Sequence, residues 1–482
     1  MMQNLWSHTG RGIAVSALAL ALTACQSMRG PEPVAQASIP SSYTAAASGI
    51  SVAEQGYKDF FADQRLLQVL DMALNNNRDL RTATLNIQRA QQAYQITENN
   101  QLPTIGASGG VLRQDQGTAL GTHTRYNVGL GVTAYELDFW GRVRSLKDNA
   151  LDNFLATQSS RDATQISLIG QVAQAWLNYS FANANLKLAD QTLKAQLESY
   201  NLNKKRFDVG IDSEVPVRQA QISVETARND VANYKTQVAQ AQNLLNLLVG
   251  EQVPSTLLPT QRVTRITNNT AIGAGLPSDL LNNRPDIRTA EYRLSAAGAN
   301  IGAAKARLFP SISLTGNAGY ASTDLSDLFK SGSFVWAVGP SIDLPIFDWG
   351  TRQANIKISE TDQQIALADY EKSIQSAFRE VNDALAVRQN IGDRLAAQKR
   401  LVDATNTTYK LSNARFRAGI DNYLTVLDAQ RTSYAAEQGL LLLEQANLNN
   451  QVELYKSLGG GVKANTSDAT SQPASSAERK AQ

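Results

Sequence analysis

Phe207-Asp208-Val209-Gly210-Ile211-Asp212 returns as Phe416-Arg417-Ala418-Gly419-Ile420-Asp421, an offset of 209 residues. In each copy a glycine stands where a helix would stop. An Asp212-Ser213 or Asp421-Asn422 pair then supplies candidate N-caps for a second helix. Each hexapeptide therefore reads as the tip of a helical hairpin. Upstream lie two proline-free stretches, Arg142 to Phe207 and Thr351 to Phe416, each 66 residues long. A helix of that length spans about 100 Å at 1.5 Å per residue. Leu186, Leu193, Tyr200 and Phe207 recur at every seventh position, as do Leu395, Val402, Tyr409 and Phe416. Strict sevens predict coiled-coil packing. Downstream of each tip a returning helix is predicted to about residue 248 or 457.

Further out, more landmarks repeat in the same order. Asn76-Asn77-Arg78-Asp79 returns as Asn282-Asn283-Arg284-Pro285-Asp286, and Leu102-Pro103-Thr104-Ile105 as Phe309-Pro310-Ser311-Ile312. Asp138-Phe139-Trp140-Gly141 returns as Phe347-Asp348-Trp349-Gly350, and Val249-Gly250 as Leu458-Gly459. The chain is thus two copies of one unit, repeat 1 over 61–250 and repeat 2 over 276–462, joined by a connector over 251–275. The last residues, 463–482, are polar and read as a disordered tail.

Within each repeat the periodicity switches. Residues 65–101 and 279–308 are predicted as helices, each stopped by its Leu-Pro or Phe-Pro step. Alternation then takes over: Val128, Leu130, Val132 and Ala134 interleave with Asn127, Gly129, Gly131 and Thr133. Ile312 and Leu314, then Trp336, Val338, Ile342 and Leu344, alternate with small or polar neighbours in the same way. Each repeat yields a β-hairpin, at about 104–138 and about 311–347, with strands of roughly 10–14 residues. That length suits a membrane barrel strand, and a soluble hairpin with one wet face has the same pattern.

At the amino terminus Arg11 precedes an apolar run, Ile13 to Leu22, too short to span a bilayer, which takes about 20 residues. The run ends in Leu22-Thr23-Ala24-Cys25, which holds the only cysteine of the chain. The spacing resembles a bacterial lipobox, making residues 1–24 a signal peptide and Cys25 the lipidated first residue of the mature chain. An ordinary Ala-x-Ala-type cleavage site beside a chance cysteine is the alternative. Gln26, where an Asp would favour inner-membrane retention, points to the outer membrane. Residues 25–60 read as an extended tether.

Composition narrows the function. The 482 residues carry a formal net charge of +2, one Cys and two His. A length prior alone would give roughly three domains. The charge gives no nucleic-acid-binding balance, and a mean hydropathy of −0.28 does not suggest a polytopic helical membrane protein. His8 falls in the signal segment, so only His123 remains for imidazole chemistry, and one Cys rules out Cys-rich zinc sites. No catalytic motif is found, and an enzyme is not expected.

Four strands cannot close a membrane barrel, which starts at about eight. Open edges are not viable in lipid, so copies must associate, and two, three or four copies all remain open on parity. All helices adjoin the same strand ends, so the expected object is an α+β membrane protein: strands in the membrane and a helical conduit on one side.

Here the sequence resembles the outer-membrane factor family, the TolC-like exit ducts, and within it the lipoprotein branch of OprM- and CusC-like channels. The resemblance is carried by the lipobox, Asn76-Asn77-Arg78-Asp79-Leu80-Arg81, Tyr135-Glu136-Leu137-Asp138-Phe139-Trp140-Gly141-Arg142, Arg284-Pro285-Asp286, Phe309-Pro310-Ser311-Ile312-Ser313-Leu314, Asn422-Tyr423-Leu424 and Leu427-Asp428-Ala429-Gln430-Arg431. It implies a homotrimer, a shared twelve-stranded barrel in the outer membrane and an α-helical periplasmic tunnel. It also implies a periplasmic adaptor and an inner-membrane RND pump as partners. No cofactor is implied beyond the covalent lipid on Cys25, and no metal.

A passive duct needs a gate, expected at the free helical tips. The resemblance maps the constriction to Leu424 and Asp428, whose spacing of four puts both on one helix face. Three copies would give an apolar ring and a carboxylate ring. A solvated first-turn Asp favoured by the helix dipole is the plainer account of Asp428. Repeat 1 carries Val215 and Gln219 at the matching places, so the carboxylate is not duplicated. Adaptor contacts are expected around Phe207, Gly210, Phe416 and Gly419. Arg206, Arg415 and Arg417 read as exposed charges, with salt-bridge latches closing the tips as the alternative. The expected cargo is small amphipathic compounds; metal ions or secreted protein are the alternative. With only Met28 and Met72 after Cys25, no methionine ladder supports a copper path.

Overall fold

The structure, a computed structural model, describes residues 28–31, 33–36, 43, 50–51, 55–115, 121–268, 272–273 and 279–460. The signal segment, Cys25 and the 463–482 tail lie outside the described residues. The elements in chain order are β1 (Ile50–Ser51), α1 (Tyr57–Phe60), α2 (Gln64–Asn76), α3 (Arg78–Asn99), β2 (Ile105–Asp115), β3 (Thr122–Glu136), α4 (Arg142–Asp208) and α5 (Glu214–Val249). After the connector come β4 (Ile272–Gly273), α6 (Asp279–Asn283), α7 (Pro285–Ala306), β5 (Ser311–Ser322), β6 (Phe334–Asp343), α8 (Thr351–Arg417) and α9 (Tyr423–Ser457). The chain divides into two compact units, Met1–Gln36 with Leu85–Gln158 and Thr289–Lys372, and Ala37–Thr84 with Ser159–Arg288 and Ser373–Gln482. Each repeat therefore contributes to both units.

The first unit holds a four-stranded antiparallel sheet in the order β2-β3-β5-β6. Val128, Leu130 and Val132 pair with Gly109, Ala107 and Ile105 on one side and with Tyr320, Ala318 and Gly316 on the other. The apolar alternation read in the sequence thus shares one face across the sheet. β3 runs to 15 residues, longer than expected, because a bulge between Val132 and Tyr135 lets it continue past a kink at Ala134, φ +51°.

The second unit is built on long helices. Phe60, Phe61 and Tyr455 form an aromatic cluster with ring centroids 4.5–5.6 Å apart. Trp176, fully buried, donates its indole N–H to the Leu257 carbonyl at 3.1 Å. The connector is accordingly part of this core, with Val253, Leu258, Val263 and Ile266 buried.

The long helices α4 and α8 each end one residue beyond the expected phenylalanine. Their seam differs from the expected one. Leu186, Leu193, Tyr200 and their counterparts are only half-buried. The deepest track is a second heptad register that is mostly small or polar, Ala189, Gln196 and Asn203 in α4 and Thr405 and Ser412 beyond Ile391 in α8. The helix backbone absorbs part of this polarity: Asn203 donates to the Ser199 carbonyl at 2.9 Å and the Thr405 hydroxyl to that of Leu401 at 2.9 Å.

The first helix of each repeat, expected to be continuous, is broken at Asn77 in repeat 1 and at Arg284 in repeat 2. The cause is a distant helix end. Asn77 leaves helical geometry (φ −61°, ψ 130°). Its side chain then accepts from the Leu80 N–H at 2.9 Å and donates to the Leu248 carbonyl at 2.8 Å. That carbonyl belongs to the last turn of α5 and has no partner within its own helix. Arg284 does the same for α9, donating to the Ser457 carbonyl at 3.0 Å. Gly250 (φ +83°) and Gly459 (φ +98°) close the contact. A Cβ there would sit 2.4 Å from the Asn76 oxygen and 2.6 Å from that of Asn283. The Asn-Asn landmarks and the Val-Gly and Leu-Gly landmarks are therefore two halves of one junction, built twice.

A candidate gating site at the helical hairpin tips

Both tips, in the second unit, close with the same backbone pattern. After α4 the Ile211 N–H bonds the Arg206 carbonyl and the Gly210 N–H bonds that of Phe207, both at 2.9 Å. After α8 Ile420 bonds Arg415 and Gly419 bonds Phe416, again at 2.9 Å. This is a Schellman cap, which needs a left-handed residue; Gly210 and Gly419 supply it at φ +74° and +77°. In each tip the arginine whose carbonyl is capped also binds the aspartate that closes the hexapeptide. Arg206 meets Asp212 at 2.5 Å and Arg415 meets Asp421 at 2.7 Å. The two arginines thus staple their own turns, so neither stands as a bare exposed charge. The hydrogen bond from Arg415 holds the Asp421 carboxyl below its usual range. With both aspartates so engaged, Ser213 and Asn422 hold the N-cap positions. Only Asn422 caps with its side chain, accepting from the Thr425 N–H at 3.1 Å.

The side chains that follow diverge. Phe416 is buried against Tyr423, with Val426, Leu427 and Ala220, and the Tyr423 ring centroid is 5.7 Å away. The Arg206 guanidinium lies 5.3 Å from the Phe416 centroid, joining the two tips. Phe207, its counterpart, is 42% exposed. Burial pushes the Tyr423 phenol up to about 12, reinforced by Tyr409, and its hydroxyl has no hydrogen-bond partner. Further along, Tyr434 of α9 reaches Asp230 of α5 at 3.3 Å, and Gln438 donates to the Tyr234 hydroxyl at 2.9 Å.

Leu424 and Asp428 sit on the opposite face of α9 from this core. Leu424 is 56% exposed and Asp428 is exposed, while Tyr423 before them and Val426 and Leu427 between them are buried. One turn therefore separates an apolar group and a carboxylate that share an outward face. In α5 Val215 is exposed and Gln219 half-buried. Phe207, Gly210 and Gly419 are on the surface; Phe416 is reachable only through the shape it gives the turn. For Arg206 and Arg415 the staples match the latch alternative and not the exposed-charge reading, and their partners were legible: both copies keep an arginine six residues ahead of the aspartate. Among the described residues no group of His, Cys, Asp and Glu is arranged to hold a metal ion, and no helix is long and apolar enough to cross a membrane.

A family profile described as outer membrane efflux protein matches residues 69–251 and 276–460. The antibiotic efflux pump outer membrane protein ArpC of Pseudomonas putida is 43% identical over 429 residues, 88% of each chain. The cation efflux system protein CusC of Escherichia coli O157:H7 is 37% identical over 92% of this chain and 97% of its own. Among solved structures, the open-state MtrE outer membrane channel of Neisseria gonorrhoeae superposes with a TM-score of 0.84 at 38% identity, covering 91% of this chain and 99% of that one.

Proposed function

The chain belongs to the outer membrane efflux protein family, and from that premise we propose that it is the exit duct of a tripartite RND efflux system, gated at its helical tips. Three copies would pool four strands each into one barrel and their helices into a tunnel reaching into the periplasm. Cys25 would carry the lipid that anchors the chain to the outer membrane. A periplasmic adaptor would read the tip turns around Phe207, Gly210 and Gly419, with Phe416 holding their shape from inside. The inner-membrane pump supplies the energy, since a passive conduit needs no catalytic group. Small amphipathic compounds fit as cargo, the reading in line with the antibiotic efflux named for ArpC.

The observation that carries the gate is the pair Leu424 and Asp428, outward on a helix whose other face is core. Three leucines would resist water and three carboxylates would favour cations. The test is single-channel conductance of the purified protein in a planar bilayer. Wild type is expected to show small, cation-selective events. Asp428→Ala should raise the leak and weaken cation preference several-fold, while Gln219→Ala changes neither. A protein that forms no pore under any condition, Asp428→Ala included, would sink the proposal.

A further inference from the structure

The repeat contains a complete docking contact and, at the other end of the sheet, the same contact with one half missing. Where repeat 1 meets repeat 2, Trp140 stacks on Phe309 with ring centroids 4.7 Å apart and planes 21° apart. Its indole N–H donates to the Pro310 carbonyl at 2.7 Å, and the Leu137 N–H donates to the Ile312 carbonyl at 2.8 Å. The strand step below the bulge pairs Tyr135 with Leu314. Trp140 is half-buried as a result.

The counterparts in repeat 2 are exposed, with the Trp349 ring edge-on to Phe347 at 4.6 Å. Trp349 is 88% exposed and Ile346 is 91% exposed. Trp349 also holds φ +55°, a left-handed geometry that a bulky residue rarely adopts without support. The counterparts of the receiving groups are equally open in repeat 1: Leu102 is 65% exposed and Ile105 is 71% exposed. They lie at the β2 edge, and Ile346 and Trp349 follow the β6 edge; each edge strand has one neighbour among the described residues. Within one sheet β2 and β6 stand at opposite ends of the order, so Trp349 cannot reach the Leu102-Pro103 step of its own sheet.

We propose that Trp349 is a subunit anchor, seating on the Leu102-Pro103 step of a second copy of this chain and fixing the register in which β6 pairs with that copy's β2. The partner is specified by the repeat: what Trp140 does inside one chain, Trp349 does between chains. Transferred by the repeat offsets, the Trp349 indole donates to the Pro103 carbonyl and the Ile346 N–H to the Ile105 carbonyl. Leu344 then comes opposite Ala107. Pro345, which has no N–H, takes the place of Glu136. Alternate N–H groups of an antiparallel strand point to opposite sides, so that position contributes none toward the receiving strand. The apolar faces also match, since even-numbered residues of β6 and odd-numbered residues of β2 share a face. Both lipid-exposed sheet edges are covered by the same step. The inference rests on the oligomeric duct proposed above and adds the residue and register that close it.

The test is a cysteine pair, Ala107→Cys with Leu344→Cys, in the full-length protein in its native membrane. Oxidation is expected to give a ladder of covalent oligomers from the double variant and none from either single variant, which also controls for Cys25. Trp349→Ala should lower the dissociation temperature of the oligomer by several degrees with its helical circular dichroism unchanged, and Trp349→Phe should lose less. A ladder from Gly109→Cys with Leu344→Cys in place of the first pair overturns the seat while leaving the ring intact. An oligomer by native mass with no ladder from either pair also overturns it. A particle that is monomeric by native mass overturns the oligomeric duct itself.

Discussion

The two hairpin tips share a backbone and differ in what they do with it. Gly210 and Gly419 hold the same left-handed angle within 3°, 74° against 77°, and both turns carry an Arg-Asp staple. Yet one tip leaves its phenylalanine 42% exposed and the other buries it. A duplicated fold thus preserves the geometry that the chain reversal requires and frees the side chains for different tasks. Repeat 2 combines a packed base, Phe416 with Tyr423, and an outward Leu424 and Asp428. Repeat 1 offers an exposed Phe207 and Val215, with Gln219 where repeat 2 has Asp428. Under the gate proposed above, one tip holds the constriction in place and the other presents a surface.

The largest expected contrast is between the two phenylalanines. Phe416→Ala removes a buried ring stacked under Arg206 and against Tyr423, a loss of about 3–5 kcal/mol for a buried aromatic. Phe207→Ala removes a ring that is 42% exposed and should cost under about 1 kcal/mol. Chemical denaturation of the detergent-solubilised protein, followed by helical circular dichroism, measures both. Equal losses would mean that the tips are energetically alike and that burial at Phe416 has no structural role.

Next in size are the glycines, where the tips should agree. Gly210→Ala and Gly419→Ala each place a Cβ in a left-handed residue with nothing within 4 Å, so only backbone strain operates. That strain is about 1–2 kcal/mol. The two variants should therefore lower stability by the same amount within error. A large difference would show that one turn is strained by more than its own backbone.

What the sequence discloses follows the range of the interaction. The long helices were legible to within a residue because nothing in 66 residues interrupts them, and the hairpin strands because alternation is a local pattern. The break at Asn77 was not legible, since it answers a carbonyl on a helix end far along the chain, whereas Pro285 marks the break at Arg284 locally. The second, polar heptad track was hidden for a related reason. Asn203 and Thr405 look like surface residues until their bonds to nearby backbone are seen. At the candidate site, the shared outward face of Leu424 and Asp428 was readable from spacing alone. The inward turn of Phe416 against the outward turn of Phe207 was not, because both stand at the same step of the same heptad.

The smallest expected effects concern the staples, and they separate the tips once more. Arg415 is more than half exposed and contacts only its own turn, so Arg415→Ala should leave overall stability unchanged and loosen the turn alone. Arg206 is less exposed and also covers the Phe416 ring, so Arg206→Ala should lower stability by about 0.5–1 kcal/mol through the lost cation–π contact. The pH dependence has a definite sign. The Asp421 carboxyl is held below its unfolded value by the hydrogen bond from Arg415. Its contribution is therefore fully present above the unfolded carboxylate range and is lost as pH falls through the lowered folded value. Hydrogen exchange at the Gly419 and Ile420 amides should quicken as the pH falls through that range once the intrinsic pH dependence is removed. In Arg415→Ala the same amides should exchange fast at every pH, with no acid-induced step. If the step persists in that variant, the carboxylate acts through some group other than Arg415, and the two staples are not equivalent.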